Sequence, residues 1–204
     1  IIALAPSCGW SDAPRSPSIQ TPGATSSVSW IAEADLSKRA AASWLNPATS
    51  AASATRQAPA ESLSKRGYRV TFVPVDNQGH LDLDYLYNSL SDDTAVVSLM
   101  WANNETGVIF PIEEISQEIK DRGIVFHTDA VQAISRVPID VKELGVDMMS
   151  MTAHKFYGPK GIGALYIRQG SQIAPLLYGG GQERGLRSGT ESVPLIVGFG
   201  KAAE

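Results

Sequence analysis

Thr94-Ala95-Val96-Val97-Ser98-Leu99-Met100 is the stretch that decides the fold. It is a mostly apolar run, partly β-branched, without the alternation that marks a strand with one wet face. Such a run suits a strand covered on both faces of a sheet. Downstream of it, Pro111 opens a helix at its first turn, and Ile112, Ile115 and Ile119 share one side of that helix. Gly123 ends the helix, and Ile124-Val125-Phe126-His127 follows as a strand. Val146 to Thr152 and Ile162 to Arg168 supply two more strands, and Ser192 to Ala203 reads as a helix. Upstream, Arg69 to Val75 reads as a strand and Asp76-Asn77-Gln78-Gly79 as the turn after it. Leu81, Leu83, Leu86, Tyr87 and Leu90 suit a short helix.

Strands alternating with helices predict an α/β fold with a mostly parallel sheet and flanking helices. Ligands of such sheets gather beyond the carboxyl ends of the strands. Three polar clusters fall at such ends: Asn103-Asn104-Glu105 after the first strand quoted, Asp129 after the next, and His154-Lys155 after a third. The sequence therefore predicts that they meet at one rim.

The residue types at that rim have a common chemistry. An amine at Lys155 and an acid at Asp129 are what pyridoxal 5'-phosphate requires, one for a Schiff base and one for its pyridinium nitrogen. Asp129 equally suits the N-cap of the segment Ala130 to Ile134, and both roles are compatible. Gln132, about one helical turn on, is placed to reach the phenolic oxygen of such a ring. Lys155 is preceded by Thr152 and His154 and followed by Gly158-Pro159-Lys160-Gly161-Ile162-Gly163, a bend that brings backbone close to a ligand. The spacing is neither a Walker A motif nor GxGxxG. His127 and His154 each read as a satisfied core histidine or as a site residue. With Cys8 the only cysteine and neither HxxxH nor CxxC present, no metal is expected. Gly179 to Thr190, rich in Gly with Arg, Ser and Thr, suits a phosphate contact ahead of a helix or, equally, a surface loop.

Composition divides the chain. Ala, Ser, Pro and Thr make up 36 of the first 60 residues, which hold three of the four Trp and no Phe, Tyr or His. Residues 1–60 show no sustained period apart from a short helical stretch, Ala40 to Trp44, and read as a disordered or weakly ordered segment. Residues 61–204 carry the regular pattern. A formal net charge of −4 argues against a nucleic-acid surface, and no apolar run is long enough to span a membrane. The lone cysteine fits a reducing, cytoplasmic compartment. The first residue is Ile, so the chain is expected to be a piece of something longer.

Four motifs occur in order: Asn103-Asn104-Glu105-Thr106-Gly107, His127-Thr128-Asp129-Ala130-x-Gln132, Thr152-x-His154-Lys155-x-Tyr157-Gly158-Pro159-Lys160-Gly161-Ile162-Gly163, and Gly179-Gly180-Gly181-Gln182-Glu183-Arg184-Gly185-x-Arg187-Ser188-Gly189-Thr190. From about Glu61 to Glu204 the chain resembles the cysteine desulfurases of the NifS/IscS-like group, class V of the fold-type I pyridoxal phosphate enzymes. The resemblance implies a truncated large domain of that fold in which Lys155 carries the cofactor and shuttles protons. It implies that Asp129 pairs with the pyridine nitrogen, that Gln132 and Asn104 sit near the phenolic oxygen, and that Thr152 and His154 hold the phosphate. Thr190 would reach the phosphate of a neighbouring subunit, which implies a homodimer. The implied reaction removes sulfur from L-cysteine, giving L-alanine and a persulfide for iron–sulfur cluster assembly or delivery to other acceptor or scaffold proteins.

The chain also departs from the family pattern. Nothing in residues 1–60 matches its Gly-Gly-Thr-Glu phosphate loop. The region of its ring-stacking histidine reads Ser53-Ala54-Thr55-Arg56-Gln57-Ala58-Pro59. The family's nucleophilic cysteine lies beyond residue 204, and Cys8 is not in its context. Selenocysteine lyase and a non-catalytic remnant of the fold are therefore the alternative readings, and a general transaminase fits the motifs less well.

Overall fold

The computed structural model describes residues 2–4 and 59–204. The helical stretch expected at Ala40 to Trp44, the region of the missing histidine over 53–58, and Cys8 lie outside the described residues. A six-stranded sheet runs in the order β2-β1-β3-β4-β5-β6. Its strands are β1 (Ile2–Leu4), β2 (Arg69–Thr71), β3 (Thr94–Met100), β4 (Val125–Asp129), β5 (Met148–Thr152) and β6 (Gly163–Ile167). β3, β4 and β5 are parallel neighbours; β1 is antiparallel to β2 and β3, and β6 to β5. β2 thus shares the direction of the parallel core, while β1 and β6 oppose it. Ile2–Leu4, which the composition gave no reason to place, lies between β2 and β3.

The helices are α1 (59–65), α2 (Leu83–Asn88), α3 (Ile112–Asp121) and α4 (Val193–Ala203) among the described residues. Each follows from local chemistry. Asp82 caps α2 by accepting a hydrogen bond from the Tyr85 amide at 2.8 Å. In α3, Glu113 and Glu114 occupy the first turn and Lys120 the last, which complements the helix dipole. Gly123, at φ 67°, then takes the left-handed conformation that releases the chain into β4. Strand β2 stops earlier than expected. Pro74 has no amide to donate to a ladder, and the chain turns around Asp76, whose Oδ1 accepts from the amides of Gln78 and His80 at 2.9 and 2.8 Å.

Register decides which side chains share a face. Ser98 stands opposite His127, Met100 opposite Asp129, and Asp129 opposite Ser150. The intervening residues Val97, Leu99, Phe126 and Met149 are buried, and they join Ile112, Ile115 and Ile119 of α3 in one apolar core. Gly145 makes that packing possible. A Cβ there would stand 2.4 Å from the Ser116 carbonyl oxygen of α3, and the Gly145 amide donates to Ser116 Oγ at 3.0 Å. The buried Thr128 hydroxyl lies on the same apolar face and has no hydrogen-bond partner among the described residues.

Candidate functional site

The parallel strands β3, β4 and β5 end at the same rim, because Met100, Asp129 and Ser150 are consecutive register partners. The ladder continues one step further, with the Trp101 amide donating to the Asp129 carbonyl at 2.9 Å and the Ala130 amide to the Ser150 carbonyl at 3.0 Å. Asp129 is half-buried at this end, and its Oδ1 accepts from the Val131 amide at 3.0 Å. The carboxylate therefore caps the turn that follows, as its alternative role required. That turn, held by Ala133 and Ile134 amides on the Ala130 carbonyl, carries half-buried Gln132 just beyond Asp129.

Beyond Ser150, β5 delivers Thr152 and then a single turn of 3-10 helix, Ala153–Lys155. Thr152 Oγ1 donates to the Ile162 carbonyl at 3.1 Å and lies 3.0 Å from His154 Nδ1. A hydroxyl has one hydrogen, and here it is committed to Ile162, so Nδ1 of His154 is the donor to Thr152. That fixes the exposed imidazole with its Nε2 directed away from the pair. Lys155 is half-exposed, and its carbonyl accepts from Arg136 Nη1 at 3.1 Å. Beneath it Phe156 is buried and meets Phe199 of α4 edge to face, with ring centroids 5.4 Å apart.

The bend after the lysine is tight. The Gly158 amide donates to the Ala153 carbonyl at 2.9 Å, and a Cβ at this position would stand 2.8 Å from the Ala153 Cβ and 3.1 Å from the Ala202 Cβ of α4. Only glycine lets the lysine turn and α4 approach this closely. Tyr157 takes a left-handed φ of 68° with its side chain 99% exposed.

Asn104 and Thr190 are exposed, each on its own loop. Asn103 shapes the first, its Oδ1 accepting from the amides of Glu105 and Thr106 at 2.8 and 3.0 Å. In the second, Gln182 Oε1 takes the Gly189 amide at 3.0 Å and Ser188 Oγ the Gly181 amide at 3.4 Å. The glycine-rich stretch is thus folded by its own side chains, and these two amides are engaged internally.

Three residues of the rim were not singled out from sequence. Arg136 braces the lysine turn, and Ser98 and Ser150 flank His127, with Ser98 Oγ 2.7 Å from Nδ1 and Ser150 Oγ 2.8 Å from Nε2. His127 is therefore a satisfied histidine. Burial pushes its imidazole below the ordinary range, more strongly than the neighbouring Asp129 carboxylate raises it. The signal that could have found the two serines is a polar residue in the middle of each of three apolar strands. Taken together, the rim holds a fixed carboxylate, an amine and a hydroxyl–imidazole pair. Among the described residues no group of His, Cys, Asp and Glu is arranged to hold a metal, and no helix is long and apolar enough to cross a membrane.

Known proteins are similar to this chain in sequence and in fold. A cysteine desulfurase from Nostoc sp. is 55% identical over 144 residues, which is 71% of this chain and 36% of that protein. The chain thus spans little more than a third of the length of the curated relatives it matches. A solved structure titled "NIFS-LIKE PROTEIN" superposes with a TM-score of 0.73 at 43% identity, covering 83% of this chain and 46% of that one. Another, "SspA in complex with cysteine", gives a TM-score of 0.70 at 37% identity, covering 79% and 46% respectively. The family described as Aminotransferase class-V matches residues 13–204, reaching back into the segment that composition set apart. With the family model matching residues 13–204, and with these likenesses in sequence and fold beside it, the chain belongs to the class-V aminotransferase family.

Proposed function

We propose that this chain is the pyridoxal phosphate-holding part of a cysteine desulfurase, with Lys155 as the residue that carries the cofactor. The observation that carries the reading is the register at the rim. Asp129 stands opposite Ser150, and β5 runs on directly through Thr152 and His154 to Lys155. The donor set fits the group. A half-buried carboxylate suits a cationic ring nitrogen, and the exposed His154 suits a phosphate as an imidazolium, in which Nε2 donates as well as Nδ1. When bound, the cofactor supplies an electron sink that stabilises a carbanion at the substrate α-carbon.

The chain's own residues have distinct tasks in this reading. Asp129 holds the ring nitrogen protonated, and Gln132 and Asn104 face the phenolic oxygen. Thr152 orients the imidazole of His154, and both hold the phosphate. The Lys155 amine moves a proton to and from the substrate. Thr190 serves the phosphate site of a second copy, so that the working unit is a homodimer. L-cysteine as substrate is supported by the names of the relatives and by cysteine bound in the SspA structure. Delivery of the sulfur to a protein acceptor for iron–sulfur clusters or other uses follows from the same reading.

The test is a visible absorbance titration of the full chain with pyridoxal phosphate beside Lys155→Ala, followed by assay of alanine release from L-cysteine with a thiol reductant to accept the sulfur. Saturable absorbance that Lys155→Ala abolishes is expected. Absorbance that survives the substitution, or none in the wild type, would refute the assignment of Lys155. Binding without alanine release would leave the cofactor site standing and favour the non-catalytic remnant for this chain, whose sequence to residue 204 does not include the family's nucleophilic cysteine.

A further inference from the structure

On the face of the sheet that ends in Asp129, three polar side chains link three strands, Ser98 directly opposite His127 and Ser150 diagonal to it. Ser98 of β3 contacts Nδ1 of His127 at 2.7 Å, and Ser150 of β5 contacts Nε2 at 2.8 Å. His127 and Asp129 are two apart on β4 and so project from the same face. Ser150 is also the register partner of Asp129. The imidazole therefore bonds to both neighbouring strands one step behind the carboxylate. Both ring nitrogens are engaged by hydroxyls that can donate or accept, which fixes the ring plane.

We propose that His127 is a positioning residue for Asp129, tying the ends of β3, β4 and β5 together through Ser98 and Ser150 so that the carboxylate is held for the cofactor's ring nitrogen. The assignment rests on the reading of Asp129 as the partner of that nitrogen. The character of the imidazole matters as much as its bonds. An imidazolium two residues away would compete with a cationic ring for the same carboxylate, whereas a neutral imidazole adds no competing charge beside Asp129. Burial of His127 favours the neutral form against the pull of Asp129. A histidine serves here where a lysine or arginine would not, because it bridges two hydroxyls while carrying no charge.

The experiment titrates the full chain with pyridoxal phosphate and with its 1-deaza analogue, in which a C–H replaces the ring nitrogen. Ser98→Ala and Ser150→Ala are compared singly and together with the wild type, with Lys155→Ala as the control for the site. Thermal melts of the same variants verify folding. Loosening the carboxylate in the double variant is expected to weaken pyridoxal phosphate about tenfold, while the deaza analogue, which offers Asp129 no partner, changes by less than about twofold. Nitrogen-15 spectra of the ligand-free wild type are expected to show His127 as a neutral imidazole at neutral pH. Equal losses for both ligands, no loss for either, or an imidazolium in the ligand-free chain would overturn the assignment and leave the cofactor site standing. A wild-type chain without Lys155-dependent binding overturns the cofactor reading, and this assignment with it.

Discussion

The two faces of the central sheet differ in what their side chains are for. One carries Val97, Leu99, Phe126 and Met149, buried against the isoleucines of α3. The other carries Ser98, His127, Asp129, Ser150 and Thr152, all half-buried, with His127 joined to Ser98 and Ser150 by short hydrogen bonds. Successive residues of one strand thus serve opposite ends: Phe126 and Thr128 point into the core, His127 and Asp129 into the rim chemistry. The lesson is that stability and chemistry are separated by the period of two rather than by position along the chain. Substitutions one residue apart should therefore have unlike consequences.

The sharpest break is at Phe126. Phe126→Ala should cost about 3–5 kcal/mol of unfolding free energy, because it leaves a cavity beside α3 that the sheet cannot close. Denaturant titration measures it, and a loss under about 1 kcal/mol would mean that this face is not the packed one. Next in size is Gly158→Ala, expected to cost about 1–3 kcal/mol through crowding of the lysine turn against α4. Because the crowding falls on the turn itself, this variant should also reduce pyridoxal phosphate absorbance, which Phe126→Ala should do only in proportion to unfolding. Parallel melts and absorbance titrations separate the two.

The polar face should reveal itself through pH. His127 is depressed in the folded chain, so the unfolded chain binds its proton more readily. The stability that its neutral form contributes is complete above the ordinary histidine value, about pH 6.5, and is lost as pH falls below it toward the depressed folded value. His127→Gln should flatten the stability curve in that window by up to about 1.4 kcal/mol per pH unit. An unchanged slope would show that His127 titrates alike in both states. The smallest effect belongs to the polar atom on the apolar face. Thr128→Val replaces a buried hydroxyl, with no partner among the described residues, by a methyl group, and should raise stability by about 1 kcal/mol. A loss instead would mean that Thr128 Oγ1 has a partner after all.

What was legible in the sequence follows the range of the forces involved. Helix α3 was readable because its proline, its isoleucine spacing and Gly123 lie within one another's reach. The three parallel strands and their polar ends were readable because each strand announces itself by its own run and because such ends converge. The Lys155 turn was readable from its glycines, which answer to backbone crowding at Gly158. Pairing across the sheet was not. Ile2–Leu4 has too few residues to carry a period, and its place depends on β2 and β3, more than 60 residues away. Ser98 and Ser150 become partners of His127 only once the register is known. The opposed direction of β6 likewise depends on how the lysine loop turns back.

That return has a thermodynamic consequence for the lysine. Thr152 and Gly163 pair directly across β5 and β6, and the Thr152 hydroxyl holds the Ile162 carbonyl from within. The ends of the Lys155 loop are clamped by the hairpin they belong to. The entropy of closing the loop is thus lost when the sheet folds rather than when a ligand arrives. Under the proposed role of Lys155, a cofactor would meet a loop backbone already in place, and the ordering left to binding in this loop would be chiefly that of one side chain.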